Sequence, residues 1–317
     1  MKEVHDRKKH FANLPHITAN DMDYAQGTKD DVCVIIPVFG AGDIKILKDY
    51  THAACHAMRS WLLNTDITDA SIPIYLYLDE RYKTDIAPIV EQNNIPEGFV
   101  KWSSTFLEGA QTGNKFAPIF DESFQFKHLF MSDVDMFAIR DAENTIVNFS
   151  DTYLAAEDGD KTFGAIGTFE QKGPIFQVEY GQHWWDWSFQ PPNSENMRKE
   201  VRQLLWLNAI ASLTSDEVVS KVMSTETLKC PLTALLYVNP LKADKEWITK
   251  AVNLLSEDEA TIFAHSLYDT PYWDINCNIT DPYGDQDTWK TYSGLLHWWH
   301  VSESDEIIYK RIFGGIQ

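Results

Sequence analysis

Hydrophobic positions in the first half of the chain fall in short unbroken runs rather than in alternation. The longest is Val32-Cys33-Val34-Ile35-Ile36-Pro37-Val38. A continuous β-branched run of this kind marks a strand covered on both faces. It stops at Gly40-Ala41-Gly42, after which the apolar positions from about Asp43 to Leu63 predict an amphipathic helix. Ile74-Tyr75-Leu76-Tyr77-Leu78 predicts a second strand, closed by Asp79-Glu80, and Gly98 to Ser103 a weaker third. A helical stretch near Lys115 to Phe124 then leads into His128-Leu129-Phe130-Met131-Ser132, the fourth strand.

Buried strands alternating with helices predict an α/β fold with a mainly parallel, Rossmann-like sheet. Ligands of such sheets bind beyond the carboxyl ends of the strands. That rim would carry Pro37 to Phe39, Asp79, and Asp133 to Asp135. The second half reads as more helical, with one clear strand at Ala234-Leu235-Leu236-Tyr237-Val238. The expected organisation is a polar extension over residues 1–30, a ligand-binding half over 31–140, and a second lobe of the same domain over 141–317.

Composition narrows the classes. The chain has 317 residues, 44% of them hydrophobic and 13% aromatic, enough for a large core. A formal net charge of -20 argues against DNA or RNA as a partner, since phosphates would be repelled. A nucleotide stays compatible, because a bound cation can invert the local sign. Cys33, Cys55, Cys230 and Cys277 are scattered, without the spacing of a zinc site, and fit a reducing compartment. Residues Met1 to Asn20 lack an apolar signal core, and no segment approaches the ~20 apolar residues of a membrane span. The expectation is a cytoplasmic protein, in which the acceptor patterns at Asn148 and Asn278 would go unglycosylated.

The richest chemistry lies in Asp133-Val134-Asp135. On an extended chain, residues two apart share a face, so both carboxylates would point one way and Val134 into the core. Paired carboxylates repel unless a cation joins them, and hard oxygen ligands suit magnesium or manganese. Such a metal keeps open positions for a diphosphate. Asp-x-Asp also occurs at Asp21/Asp23, Asp158/Asp160 and Asp285/Asp287. Only Asp133/Asp135 follows an apolar strand in the fourth position of an α/β unit.

Val-Ile-Ile-Pro-Val, followed by a helix and then Lys-His-Leu-Phe-Met-Ser-Asp-Val-Asp-Met-Phe, resembles the donor half of GT-A glycosyltransferases. The Asp-Val-Asp-Met string is similar to that of retaining galactosyl- and N-acetylgalactosaminyl-transferases. Over about residues 31–140 the resemblance implies a GT-A fold with a more helical acceptor lobe, a uridine-diphosphate (UDP) sugar donor, and Mn2+ or Mg2+. It implies that Val38 and Phe39 line the nucleotide base, that Asp79 lies near the base or ribose, and that Lys115 approaches the donor. A lysine at a helix start is otherwise an exposed residue in a position that disfavours cations.

Further on, Gly284-Asp285-Gln286-Asp287 opens an expected helix and is similar to a string in glycogenin-like and bacterial galactosyltransferases. That resemblance would bring Asp285 to a sugar hydroxyl and Gln286 to the reactive face, and it favours retention. As plain sequence, the same string is a helix cap. Those relatives take a metal-binding His from a Gly-x-x-Lys-Pro-Trp motif that this chain lacks. His297 or His300, in Leu296-His297-Trp298-Trp299-His300, is the candidate third ligand. Trp184, Trp185 and Trp187 offer indole faces for a glycan or other hydroxyl acceptor, or else an aromatic core patch.

Other classes fit less well. A dehydrogenase would need Gly-x-Gly-x-x-Gly after a strand, and a P-loop enzyme Gly-x-x-x-x-Gly-Lys-Ser/Thr; neither is present. A sugar nucleotidyltransferase would need a basic Gly-rich loop where Phe39-Gly40-Ala41-Gly42-Asp43 stands. A non-catalytic carbohydrate-binding protein remains the alternative from another class.

Overall fold

The computed structural model describes residues 26, 31–39, 43–64, 72–107, 112–139, 162–165, 168–172, 205, 208–224, 227–231, 233–255, 261–262, 264–265, 273–274, 279–280 and 294–297. All four expected strands form: β1 (Val32–Val38), β2 (Ile74–Asp79), β3 (Val100–Ser103) and β4 (His128–Ser132). Between them lie helix α1 (Ile44–Asn64) and helix α2 (Lys83–Gln92). Asp43 caps α1, its Oδ1 accepting the Lys45 amide at 2.8 Å.

Every residue of β1 is buried. Val32, Val34, Ile36 and Val38 face a core closed by α1, including Ala54, Met58 and the fully buried Trp61. Cys33 and Ile35 face the opposite core, with Phe116, Ile119 and Met131. This double burial is why the run shows no alternation.

The helix expected near Lys115 to Phe124 is instead a 3-10 helix over Thr112–Phe120. Pro118 lies inside it and has no amide hydrogen, so the regular i to i−4 ladder cannot run through this segment. Gly113 to Ile119 are all buried, which seats the segment against the sheet.

The chain continues through β5 (Met136–Ile139), β6 (Phe163–Ala165), β7 (Thr168–Lys172), helix α3 (Asp216–Ser224), β8 (Thr227–Pro231), β9 (Leu235–Val238), helix α4 (Lys245–Leu255), β10 (Trp273–Asp274), β11 (Ile279–Thr280) and β12 (Gly294–His297). Seven strands form one sheet in the order β10-β6-β9-β4-β1-β2-β3. The β1–β2, β2–β3, β1–β4 and β6–β10 pairings are parallel, whereas β9 is antiparallel to both β4 and β6. The second half thus completes the sheet of the first. It is also richer in strands than its sequence indicates, because most of these strands are too short to show a period.

Strand order places the switch point. From β1 the chain moves outward to β2 and β3, then returns to pair β4 on the other side of β1. The crevice between the carboxyl ends of β1 and β4 is where an α/β sheet opens to a ligand.

The extension over residues 1–30 is described only at Gln26. Its side-chain amide pairs with the Ile74 backbone, accepting from N at 3.0 Å and donating to O at 2.8 Å, and also donates to the Gly98 carbonyl at 3.0 Å. One residue thereby ties this segment to the chain entering β2 and β3.

Candidate functional site

β4 ends at Ser132, and the chain then turns sharply, the Met136 amide donating to the Asp133 carbonyl at 3.2 Å. Asp133-Val134-Asp135 is therefore a turn between β4 and β5, not an extended segment. The expectation that strand alternation aligns the two carboxylates does not hold; the turn sets their directions. Val134 does enter the core, as expected.

Both ends of the turn are anchored by distant residues. The Asp133 amide donates to the Ala234 carbonyl at 2.8 Å, just before β9. Trp61 Nε1 donates to the Met136 carbonyl at 3.2 Å, and Ser60 Oγ accepts the Ala138 amide at 2.9 Å. Helix α1 thus holds β5 by hydrogen bonds as well as by packing. Asp135 is buried at 4% exposure, while the Asp133 side chain remains 32% exposed.

Lys115 reaches this turn from the 3-10 helix. Its Nζ lies 2.6 Å from Asp133 Oδ1 and also donates to the Thr233 carbonyl. At 1% exposure it is not the solvated lysine that its place at a helix start suggests. A buried ammonium requires partners, and Asp133 supplies the opposite charge.

At the end of β2, Asp79 is also buried. Arg81 grips it with two side-chain nitrogens, Nε at 2.9 and 3.1 Å from the two oxygens and Nη2 at 2.5 Å from Oδ2. The Arg81 amide adds a bond to Oδ1 at 3.0 Å. Sequence reasoning missed Arg81, although an Asp at a strand end with an Arg two residues on is a recognisable cap-and-fork pattern. Of the other rim residues, Val38 is buried in the core and Phe39 is half-buried.

Ser103, level with Asp79 at the end of β3, forms a buried cluster with Tyr77 and Asp121. Tyr77 Oη lies 2.8 Å from Ser103 Oγ and 2.9 Å from Asp121 Oδ2, and Ser103 donates to Asp121 at 2.6 Å. Burial pushes the Asp121 carboxyl up, but bonds from Ser103, Ser123 and Tyr77 outweigh it and hold the group below its ordinary range. Burial, reinforced by Asp121, pushes the Tyr77 phenol well up. These groups fasten the 3-10 helix to edge strand β3.

The C-terminal segment meets the turn through β12. This strand pairs antiparallel with β5 in a register that sets His297 opposite Met136, the residue after Asp135. A position 162 residues later in sequence is thus brought beside the Asp133–Asp135 turn. Among the described side chains, no three His, Cys, Asp or Glu groups cluster as a metal site. Asp285, Gln286, Trp184, Trp185, Trp187 and His300 lie outside the described residues, as does the side chain of His297. No helix among the described residues is long and apolar enough to cross a membrane.

No protein-family model matches the chain, and neither does any curated protein. Among solved structures it is similar to the galactosyltransferase LgtC in complex with donor and acceptor sugar analogues. The two are 10% identical, with a TM-score of 0.41, over 90% of this chain and 96% of that one. Mouse xyloside xylosyltransferase 1 is 10% identical, with a TM-score of 0.38, over 84% and 96%. The mannosyltransferase Ktr4p from S. cerevisiae is 9% identical, with a TM-score of 0.38, over 86% and 76%. This is a likeness of chain path alone. The α/β architecture stands on the strand order itself, and nothing about activity follows from the likeness.

Proposed function

We propose that this protein is a metal-dependent glycosyltransferase that moves a sugar from a nucleoside-diphosphate donor to a hydroxyl acceptor. One observation carries the reading: the Asp133-Val134-Asp135 turn sits at the carboxyl end of β4, beside the switch point, with Lys115 on one side and β12 on the other. Acidic, basic and imidazole-bearing positions from three distant stretches meet where an α/β sheet binds ligands.

The donor set suits a hard divalent cation. Two carboxylates share one tight turn, and His297 stands at the register position beside it. Asp133 and Asp135 would hold Mn2+ or Mg2+, with His297 as the third protein ligand. When bound, the metal supplies positive charge against the diphosphate of the donor. Lys115 orients Asp133 and keeps a second positive charge at the same place. The sequence resemblance assigns a UDP-sugar as donor, with Val38 and Phe39 lining the base and Asp79 near the base or ribose. It brings Asp285 to a sugar hydroxyl and Gln286 to the reactive face and favours retention of configuration, while the indole faces of the tryptophans at 184, 185 and 187 suit the acceptor.

The test is incubation with Mn2+ and a panel of uridine- and guanosine-diphosphate sugars, with and without glycan acceptors, reading released nucleoside diphosphate. Release that is lost in both Asp133→Asn and Asp135→Asn supports the reading, and proton NMR of the product gives the stereochemistry. Absence of release with every donor sinks it. A second reading is favoured by the Lys115 ammonium, which already neutralises Asp133: a carbohydrate-binding protein that needs no metal. That reading requires sugar binding in chelator without any turnover.

A further inference from the structure

A cleft of about 460 Å³ opens on the protein away from the Asp133 turn, lined by Tyr75, Lys101, Glu122, Ser123, Phe124, Gln125 and Phe126. Tyr75 stands four residues before Asp79 on β2, roughly 13 Å down the strand from the rim. The 121–127 segment leads into the amino end of β4, the Lys127 amide donating to the Asp31 carbonyl just before β1. The cleft therefore belongs to the lower part of the sheet's edge, and the Asp133 turn lies two strands away.

Its walls are preorganised. Phe124 packs on Phe126 with ring centroids 4.9 Å apart and meets Tyr75 edge-on at 5.2 Å. Lys101 Nζ donates to Ser123 Oγ at 2.9 Å, and Ser123 Oγ donates to Asp121 Oδ1 at 2.6 Å. The lysine is thus tied through Ser123 to the buried Tyr77–Ser103–Asp121 cluster. Gln125 Nε2 donates to the Glu122 carbonyl at 2.9 Å, which sets the loop.

Other polar groups of the lining keep their bonding capacity. Among the described residues, the Tyr75 hydroxyl, the Glu122 carboxylate and Gln125 Oε1 take no hydrogen bond within the protein. Tyr75 and Phe126 are half-buried, so each shows part of a ring to solvent beside these groups. The lining carries one cation and one anion, so it selects for no net charge.

We infer that this cleft is a carbohydrate site, binding a neutral mono- or disaccharide independently of the Asp133 turn. The volume lies within the range of small-ligand pockets. Partly exposed rings suit the C–H faces of a pyranose, while Glu122, Gln125 and the Tyr75 hydroxyl bond its hydroxyls. A phosphorylated or carboxylated ligand would meet Glu122 with only an already engaged lysine to offset it. The inference does not rest on the transferase reading.

The experiment is saturation-transfer NMR with titration calorimetry on the full chain. It uses neutral disaccharides (lactose, maltose, cellobiose, mannobiose) in chelator and without nucleotide. At least one sugar should bind, and Glu122→Ala and Tyr75→Phe should each weaken it about fivefold or more. Both substitutions keep the packed rings, so circular dichroism should match the parent protein. Asp135→Asn, with its fold checked by circular dichroism, should leave this binding unchanged. The inference is overturned if none of the four sugars binds, if binding survives both cleft variants, or if folded Asp135→Asn abolishes it. Failure of nucleotide-sugar turnover leaves these readouts untouched, so the two readings fail separately.

Discussion

Lys115 Nζ lies 2.6 Å from Asp133 Oδ1, with the lysine 1% exposed and the aspartate side chain 32% exposed. The pair is asymmetric, so its two halves should not be equally replaceable. Asp133→Asn leaves a buried ammonium whose charge is no longer matched, at a cost of about 3 kcal/mol or more. Lys115→Met removes the charge that needs burial and leaves a carboxylate that water can reach, costing roughly 1–2 kcal/mol. Urea unfolding of both variants measures the difference, and equal losses would contradict the asymmetry.

Metal and nucleotide should stabilise the fold together. Ligands that bind only the native state raise its stability by mass action. Uridine diphosphate should therefore raise Tm in the presence of Mn2+ or Mg2+ and leave it unchanged in chelator. Asp135→Asn should remove that coupling with the fold intact by circular dichroism. A shift that persists in the variant would take Asp135 out of the site.

Arg81 is half exposed, yet it satisfies a buried carboxylate. Arg81→Ala would leave Asp79 with the amide at position 81 and lose the side-chain bonds. The expected loss is about 1–3 kcal/mol, the usual cost of stranding a buried polar group. Arg81→Lys should recover only part of it, since an ammonium cannot reproduce the two-nitrogen grip. Full recovery by lysine would show that charge alone matters here.

His265 makes stability depend on pH. Its ring meets Phe163 edge-on at 4.6 Å and Trp247 at 5.3 Å. Burial lowers its pKa to about 4, with Asp244 opposing in part. The unfolded chain, with an ordinary value near ~6.5, then binds more protons than the folded one between these limits. The contribution is full above about pH 6.5 and is lost as pH falls towards 4. Its size is on the order of 3 kcal/mol. His265→Phe should flatten the pH dependence of urea midpoints in this window, and an unchanged slope would count against it.

Asp121 acts lower on the pH scale. Its folded pKa is depressed, so its contribution is present above the ordinary carboxylate range and is lost as pH falls through the folded value. Ser103→Ala removes one of the bonds that depress it. The variant should therefore lose stability near neutrality and show a weaker acid dependence below about pH 4. An acid limb as steep as the parent's would mean that other groups hold this carboxylate down.

The local elements were legible in the sequence because their causes are local. Burial on both faces writes an unbroken apolar run, so β1, β2 and β4 stand at or within a residue of their expected bounds. Asp43, capping α1, marks that helix's start for the same reason. The Asp133–Asp135 pair was visible because it follows such a run. The 3-10 character around Pro118 was legible in principle, since a missing amide hydrogen is a property of one residue. Among the short strands of the second half, β9 was legible as a buried apolar run at Leu235–Val238; the others, of two to five residues, were not, because so few positions cannot display a period.

Tertiary structure alone decided the environment of the pair. Whether Asp133 and Asp135 lie on a strand or in a turn depends on bonds from Ala234 and Trp61, which sequence spacing does not encode. The Thr233 carbonyl that shares Lys115 is 118 residues away. The sequence offered His297 or His300 as a third ligand without placing either; the place of position 297 opposite Met136 follows from how β12 pairs with β5. Pairing partners are chosen by the burial of whole sheet faces, a sum over the chain. The sequence therefore determined which residues could do chemistry, and packing decided which of them meet.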